Sequence, residues 1–104
     1  MKNKTATHMA ILQVLVRGPA YGLEVSERIK DSSKEEMNVF DGSLYPALKK
    51  LEREGLLKSY KGERTPERGG RPRRYYALTA EGAKEAIRDR TTWAGIFGLL
   101  PQGM

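Results

Sequence analysis

The chain has no cysteine, one histidine and one tryptophan among its 104 residues. Without cysteine there is no disulfide framework, no thiolate metal site and no cysteine nucleophile. The lone His8, near the N-terminus, cannot build a histidine metal cluster. Long apolar runs are missing too. The N-terminal segment MKNKTATHMAILQVLVRGP holds an apolar stretch much shorter than the roughly 20 residues that cross a bilayer. It also lacks the small-residue cleavage site of a signal peptide. A soluble, cytoplasmic chain with no membrane partner is expected. Catalysis needs a convergent set of polar groups, and none is evident. The carboxylates are scattered along faces that read as solvated. The adjacent Glu35 and Glu36 would point about 100° apart on a helix. No enzyme activity, metal or cofactor is expected.

What the chain does have is positive charge, and it is concentrated. Residues 42–79 hold 10 Lys/Arg and 4 Asp/Glu, a net +6, while residues 1–41 hold 6 of each sign and residues 80–104 hold 3 of each. The +6 of the whole chain is therefore the +6 of this one stretch. Segregated positive charge points to a polyanionic partner, nucleic acid first. The length predicts one domain. A chain of this size hides only a modest core, so dimerisation would help it.

Apolar periodicity places the elements. Thr5 or Thr7 can cap a first helix whose broad apolar face is Met9, Ile11, Leu12, Leu15 and Val16. Gly18-Pro19 ends it. A second helix follows from about Tyr21 to Asp31, with Leu23, Val25 and Ile29 as a partial stripe and Glu24, Glu27, Arg28 and Lys30 in solvent. Ser32–Phe40 reads as a loop in which Val39 and Phe40 could anchor a short strand. Asp41 or Ser43 can cap a third helix, and Pro46 requires that it sit in the first turn. Leu44, Ala47, Leu48 and Leu51 face inward, and Glu54-Gly55 closes the helix. Leu56–Gly62 and Arg73–Leu78 read as strands around an Arg-, Glu-, Pro- and Gly-rich turn, with at least one of Tyr75 and Tyr76 in the core. Thr79 caps a last helix, with Glu81 in its first turn. Ala83, Ala86, Ile87, Trp93 or Ala94, Phe97 and Leu100 recur along it at helical spacing. The order is three helices, two strands and a helix. This predicts a mainly helical α+β fold, a winged helix-turn-helix with a C-terminal helix. Residues 1–79 would be the DNA-binding part and residues 80–104 a dimerisation helix, in a single compact unit.

The third helix is the candidate reader of bases, because the major groove admits one helix. Ser43, Tyr45 and Pro46 stand at its N-terminal end, which points toward base edges in helix-turn-helix proteins. Lys49, Lys50 and Arg53 can reach bases or phosphates. Arg64, Arg68, Arg71, Arg73 and Arg74 cluster in the turn between the strands. Arginine suits the minor groove, and Gly69-Gly70 lets backbone come close. An ordinary amphipathic helix and a solvated turn would show some of the same charges. A basic helix beside a basic hairpin favours double-stranded DNA.

GSLYPALKKLEREGLL followed by GGRPRRYYALTAEG, with GPAYGLEVSERI in the second helix, resembles the PadR family of bacterial and archaeal transcriptional regulators. The resemblance spans about Ala10 to Gly82. It implies a homodimeric DNA-binding regulator, most often a repressor, of the short kind with a single C-terminal helix exchanged across the dimer. By position, Ser43, Tyr45 and Lys49 correspond to the recognition-helix face, and Arg71 and Arg73 to the wing. Ile87, Trp93, Phe97 and Leu100 would form the dimer contact. Trp93 has two readings. It packs in that contact, or it forms the wall of a site for a planar aromatic effector, as paired tryptophans do in multidrug-responsive members. Gly95, Gly98 and Pro101 depart from the family's usual charged helical continuation. Set against a sequence-specific regulator with a pseudo-palindromic operator are a non-specific architectural nucleic-acid binder and a winged-helix module used for protein contacts.

Overall fold

A computed structural model describes residues 4–64 and 66–98, without the side chain of Arg68. Its first helix, α1 (Ala6–Leu15), is opened by a reciprocal cap. The Thr5 hydroxyl accepts the His8 N–H at 3.2 Å, and His8 Nδ1 accepts the Thr5 N–H at 3.0 Å. Gly18, at φ +124°, turns the chain into a two-residue strand, β1 (Ala20–Tyr21). Helix α2 (Gly22–Ser32) follows directly. Arg28 is not in solvent as expected. Its guanidinium donates to the carbonyls of Val14, Gly18 and Pro19 at 3.1, 2.8 and 3.3 Å, satisfying acceptors that the turn leaves open. Leu23, expected on the apolar stripe, is exposed; Val25 and Ile29 are buried.

No strand forms at Val39–Phe40. Val39 is buried, whereas Phe40 is 77% exposed and serves as the N-cap of α3 (Asp41–Arg53). Its carbonyl accepts the N–H groups of Ser43 and Leu44 at 2.9 and 2.8 Å, so neither Asp41 nor Ser43 caps the helix. Pro46 therefore lies in the second turn, later than expected. Its missing N–H costs little because the carbonyl it would have bonded, that of Gly42, belongs to an exposed residue. Gly55, at φ +78°, ends the helix.

Strands β2 (Leu57–Arg64) and β3 (Pro72–Leu78) form the wing, with a bulge between Lys61 and Arg64 and a short 3-10 turn, Pro66–Arg68, near the tip. The sheet has three strands rather than the two expected, in the order β1-β3-β2, all antiparallel. Ala20 and Tyr21 pair with Tyr76 and Tyr75. A two-residue strand is too short for periodicity to reveal. Tyr76 is the core tyrosine. The core runs through Ile11, Leu12, Val25, Leu44, Leu48 and Leu51 to Tyr76 and Ala86.

Helix α4 (Ala80–Ile96) is capped by Thr79, whose hydroxyl accepts the Gly82 N–H at 3.0 Å. The same residue clasps the end of α3. The Thr79 N–H donates to Leu56 O at 3.1 Å and its hydroxyl donates to Gly55 O at 2.6 Å. Helix α4 turns Gly82, Glu85, Ala86 and Asp89 inward. These two carboxylates are buried, not solvated, because Lys4 reaches them. Lys4 Nζ bonds Asp89 Oδ1 at 2.6 Å and also bonds Glu85, which takes Arg88 as well. Trp93, Ile96 and Phe97 continue the inward face into a region where they stay exposed. Ile87 is exposed on another side of the helix, about 120° from Trp93 at 100° per residue.

Candidate nucleic-acid interface

Two rows of side chains stand on the outer surface of α3. Tyr45 and Lys49 form one row, and Ser43, Pro46, Lys50 and Arg53 form the other, about 100° around the helix. Ser43, Tyr45, Pro46, Lys49 and Arg53 are exposed and Lys50 is half-buried. Because Phe40 supplies the cap, the Ser43 hydroxyl is not spent on the helix N-terminus.

The first row faces the wing. Tyr45, Lys49, Arg73 and Arg74 line a groove of about 370 Å³ with Tyr21 and Tyr76. Tyr45 lies over the start of α2, where a Cβ on Gly22 would stand 2.5 Å from its hydroxyl. Gly22 thus leaves room for Tyr45, which ties α3 to α2. Burial and the nearby Glu52 carboxylate raise the pKa of the Tyr76 phenol at the back of this groove.

The wing is stiffened by its aromatic residues. Tyr60 and Tyr75 stack with centroids 5.7 Å apart, and Tyr21 meets Tyr75 edge-on at 5.6 Å. The Arg73 guanidinium sits 4.3 Å over the Tyr21 ring. Tyr75 therefore packs between two rings of the wing sheet. Arg74 donates to Ser59 Oγ at 3.1 Å, and Ser59 donates to Glu52 Oε2 at 2.6 Å. This relay joins β3 to α3 through a serine and a glutamate that the sequence did not single out. Their only signal there is position, one on each element. At the tip, Arg64 donates to Gly70 O at 3.2 Å and helps close the turn. Arg71 is exposed. The side chain of Arg68 and all of Leu100 lie outside the described residues.

The second row faces the first turn of α1. His8 is buried there, and burial together with the charges of Lys50 and Lys4 holds its pKa below the usual histidine value. The imidazole is neutral at pH 7, as its acceptor role in the cap requires. Among the described residues no group of three or more His, Asp or Glu side chains could hold a metal ion, and no helix is long and apolar enough to cross a membrane.

A wing and a recognition-type helix joined on one cationic face agree with what is known of similar proteins. The PadR-like family of transcriptional regulators matches residues 11–88. The chain belongs to that family. A transcriptional regulator from Clostridium thermocellum is 32% identical, with 89% of this chain and 84% of that one covered and a TM-score of 0.75. A PadR family transcription regulator from Clostridium difficile is 27% identical, with coverage of 91% and 94% and a TM-score of 0.75. RosR of H. salinarum is 30% identical, with coverage of 92% and 79% and a TM-score of 0.69. In this PadR-like regulator the four helices and the three-stranded antiparallel sheet match the winged-helix structures of the family. Such regulators act by binding DNA and are not, in general, enzymes.

Proposed function

We propose that this PadR-like protein is a homodimeric, sequence-specific repressor of a pseudo-palindromic operator in double-stranded DNA. Residues 1–79 would engage the duplex and residues 80–104 the second copy. The observation that carries the reading is the convergence of Lys49 from α3 with Arg73 and Arg74 from β3 on one groove. A helix seated in the major groove would bring the wing onto the adjoining backbone or minor groove, so one surface both reads and holds.

Selection of bound duplexes from a random pool tests it. The expected product is a palindrome with half-sites about one or two helical turns apart. Equal affinity for all sequences at fixed salt would instead make the protein an architectural binder. Lys49→Ala is expected to change preference at particular base pairs. Arg71→Ala should weaken binding on every duplex and lower the salt slope by about one unit. If both variants hold the same operator as tightly as the wild type, the contact face lies elsewhere.

The dimer reading rests on the apolar face of α4. Trp93 and Phe97 stack with centroids 5.6 Å apart and are 41% and 67% exposed, beside Ile96 at 65%. Burying this face against its symmetry mate would remove an apolar patch that water disfavours. The double variant Trp93→Ala, Phe97→Ala is expected to sediment as a monomer at concentrations where the wild type is a dimer. An unchanged dimer would move the contact away from α4. The Trp93 indole also donates to Met9 Sδ at 2.9 Å and, with Met9 and Phe97, lines a cleft of about 270 Å³. A planar aromatic effector would fit against this wall.

A further inference from the structure

The side of α3 turned from the wing borders a second groove, of about 470 Å³, closed on its far side by the first turn of α1. Thr7 and His8 stand on the α1 wall, and Ser43, Lys50 and Arg53 stand on the α3 wall. Among the described residues no carboxylate lines it. Lys50 and Arg53 have no ion-pair or hydrogen-bond partner among the described residues, unlike Arg64 and Arg74 on the wing. Lys4, another cation near the α1 end, is already held by Glu85 and Asp89. The groove thus presents two uncompensated cations and three hydroxyl-bearing residues, of which Thr5 is already spent on the α1 cap, a lining that accepts an anion.

The scale of the helix decides which anion. An α-helix with its side chains is about 10–12 Å across, and the major groove is about 12 Å wide. A helix that fills the groove brings both of its flanks against the bordering backbones. One flank of α3 carries the wing. The other carries Lys50 and Arg53.

We propose that the α1–α3 groove seats a phosphodiester of the duplex on the side of α3 opposite the wing, held by Lys50 and Arg53 with Thr7 and Ser43 beside them. This rests on the reading of α3 as the recognition helix. It divides the basic residues of α3 by task. Lys49 faces the wing-side groove and the bases, whereas Lys50 and Arg53 hold backbone and carry no sequence information. The protein then grips the major groove from both rims.

His8 supplies an internal reporter. It is the chain's one histidine, it lines the groove, and burial first and the charge of Lys50 second lower its pKa. The charges facing it are Lys50 from α3 and Lys4 from the segment before α1, with Arg53 on the same groove wall. A phosphate placed among them offsets the field of Lys50, so the imidazole should titrate higher in the complex.

The experiment uses the full chain, the duplex selected from the random pool and an unrelated duplex. Lys50→Gln and Arg53→Gln are each expected to lower the salt slope by about one unit. Each should also weaken binding roughly five-fold near 0.15 M salt, following about 0.9 of a power of salt per phosphate. The loss should be equal on both duplexes, leaving preference intact. The His8 ring resonances should titrate at higher pH in the wild-type complex than in the free protein, and should not shift in the double variant. Thermal melts matching the wild type establish that the variants fold. A loss confined to the selected duplex would make these residues base readers and overturn the proposal. So would an unchanged salt slope or an unmoved His8 titration in the wild-type complex. If the wild type bound no duplex at all, the DNA reading itself would fail. If the wild type bound and the double variant bound alike, only this groove would be refuted.

Discussion

Gly82→Ala is expected to be among the most damaging single-methyl changes in the chain. A Cβ there would press into the Leu56 carbonyl oxygen, 2.9 Å from its carbon and 3.2 Å from Leu78 Cδ2. The obstacle is backbone, not a side chain that can swing away. That carbonyl also accepts the Thr79 N–H, so it cannot withdraw without opening the joint between α3 and α4. Overpacking usually costs about 1–3 kcal/mol and occasionally more, and a rigid neighbour puts this site at the upper end. For a domain of this size each kcal/mol lowers Tm by roughly 4–8 °C. A fall of about 12 °C or more in a thermal melt is the expected result. Gly95→Ala is the internal comparison, because nothing lies within 4 Å of a Cβ there. On helix propensity it should stabilise by up to about 1 kcal/mol. If both substitutions had equal effects, the close approach at Leu56 would not be what fixes Gly82.

The second large effect is expected from Lys4→Met. Lys4 is the cation between two buried carboxylates, with side-chain exposures of 10% for Lys4, 7% for Glu85 and 12% for Asp89. Removing it leaves Asp89 without its cation and Glu85 with Arg88 alone, and breaking a buried pair in this way costs about 3–5 kcal/mol. The loss has a pH signature. The hydrogen bond from Lys4 holds the Glu85 pKa below the ordinary carboxylate range, against its burial. A carboxyl with a depressed folded pKa adds stability that is present above its unfolded value, roughly 4.3. That stability is lost as pH falls through the folded value. Burial opposes the charge on Lys4, but its bonds to Asp89 and Glu85 raise its pKa. Its share of stability is therefore full at neutral pH and fades only at strongly alkaline pH. Denaturant melts from pH 7 to pH 3 should show the gap between wild type and variant closing as acid protonates Glu85. A gap that stayed constant over that range would assign the loss to packing of the lysine stem instead.

These two sites mark the border of what the sequence made legible. The helix order, the closure at Gly55, the Thr79 cap and the basic wing follow from local chemistry: a φ that glycine accepts, a hydroxyl before a helical run, charge in a turn. The family could be read from motifs that span these same elements. The inner face of α4 could not. Glu85 and Asp89 look solvated because charged residues on an amphipathic helix usually are. Their partner is a lysine 81 residues away from Glu85, a distance no periodicity can bridge. The same applies to β1, whose two residues pair with a strand more than 50 positions later. At the proposed DNA face the individual cations were legible, but their commitments were not. Arg73 rests on Tyr21 and Arg74 on Ser59, whereas Lys50 and Arg53 are left open.

The joint at Gly55, Leu56 and Thr79 bears on how a signal would reach DNA. Helix α4 has 17 residues and is therefore about 25 Å long at 1.5 Å per residue. Its first turn is bonded to the end of α3, and its far end carries Trp93 and Phe97. It is a lever with the reading head fixed to its short arm. A tilt of 10° along it displaces the opposite end by about 4 Å, which exceeds the 3.4 Å rise of one base pair. In the proposed dimer, a modest change in how two copies lean on one another would shift the two α3 helices relative to the duplex.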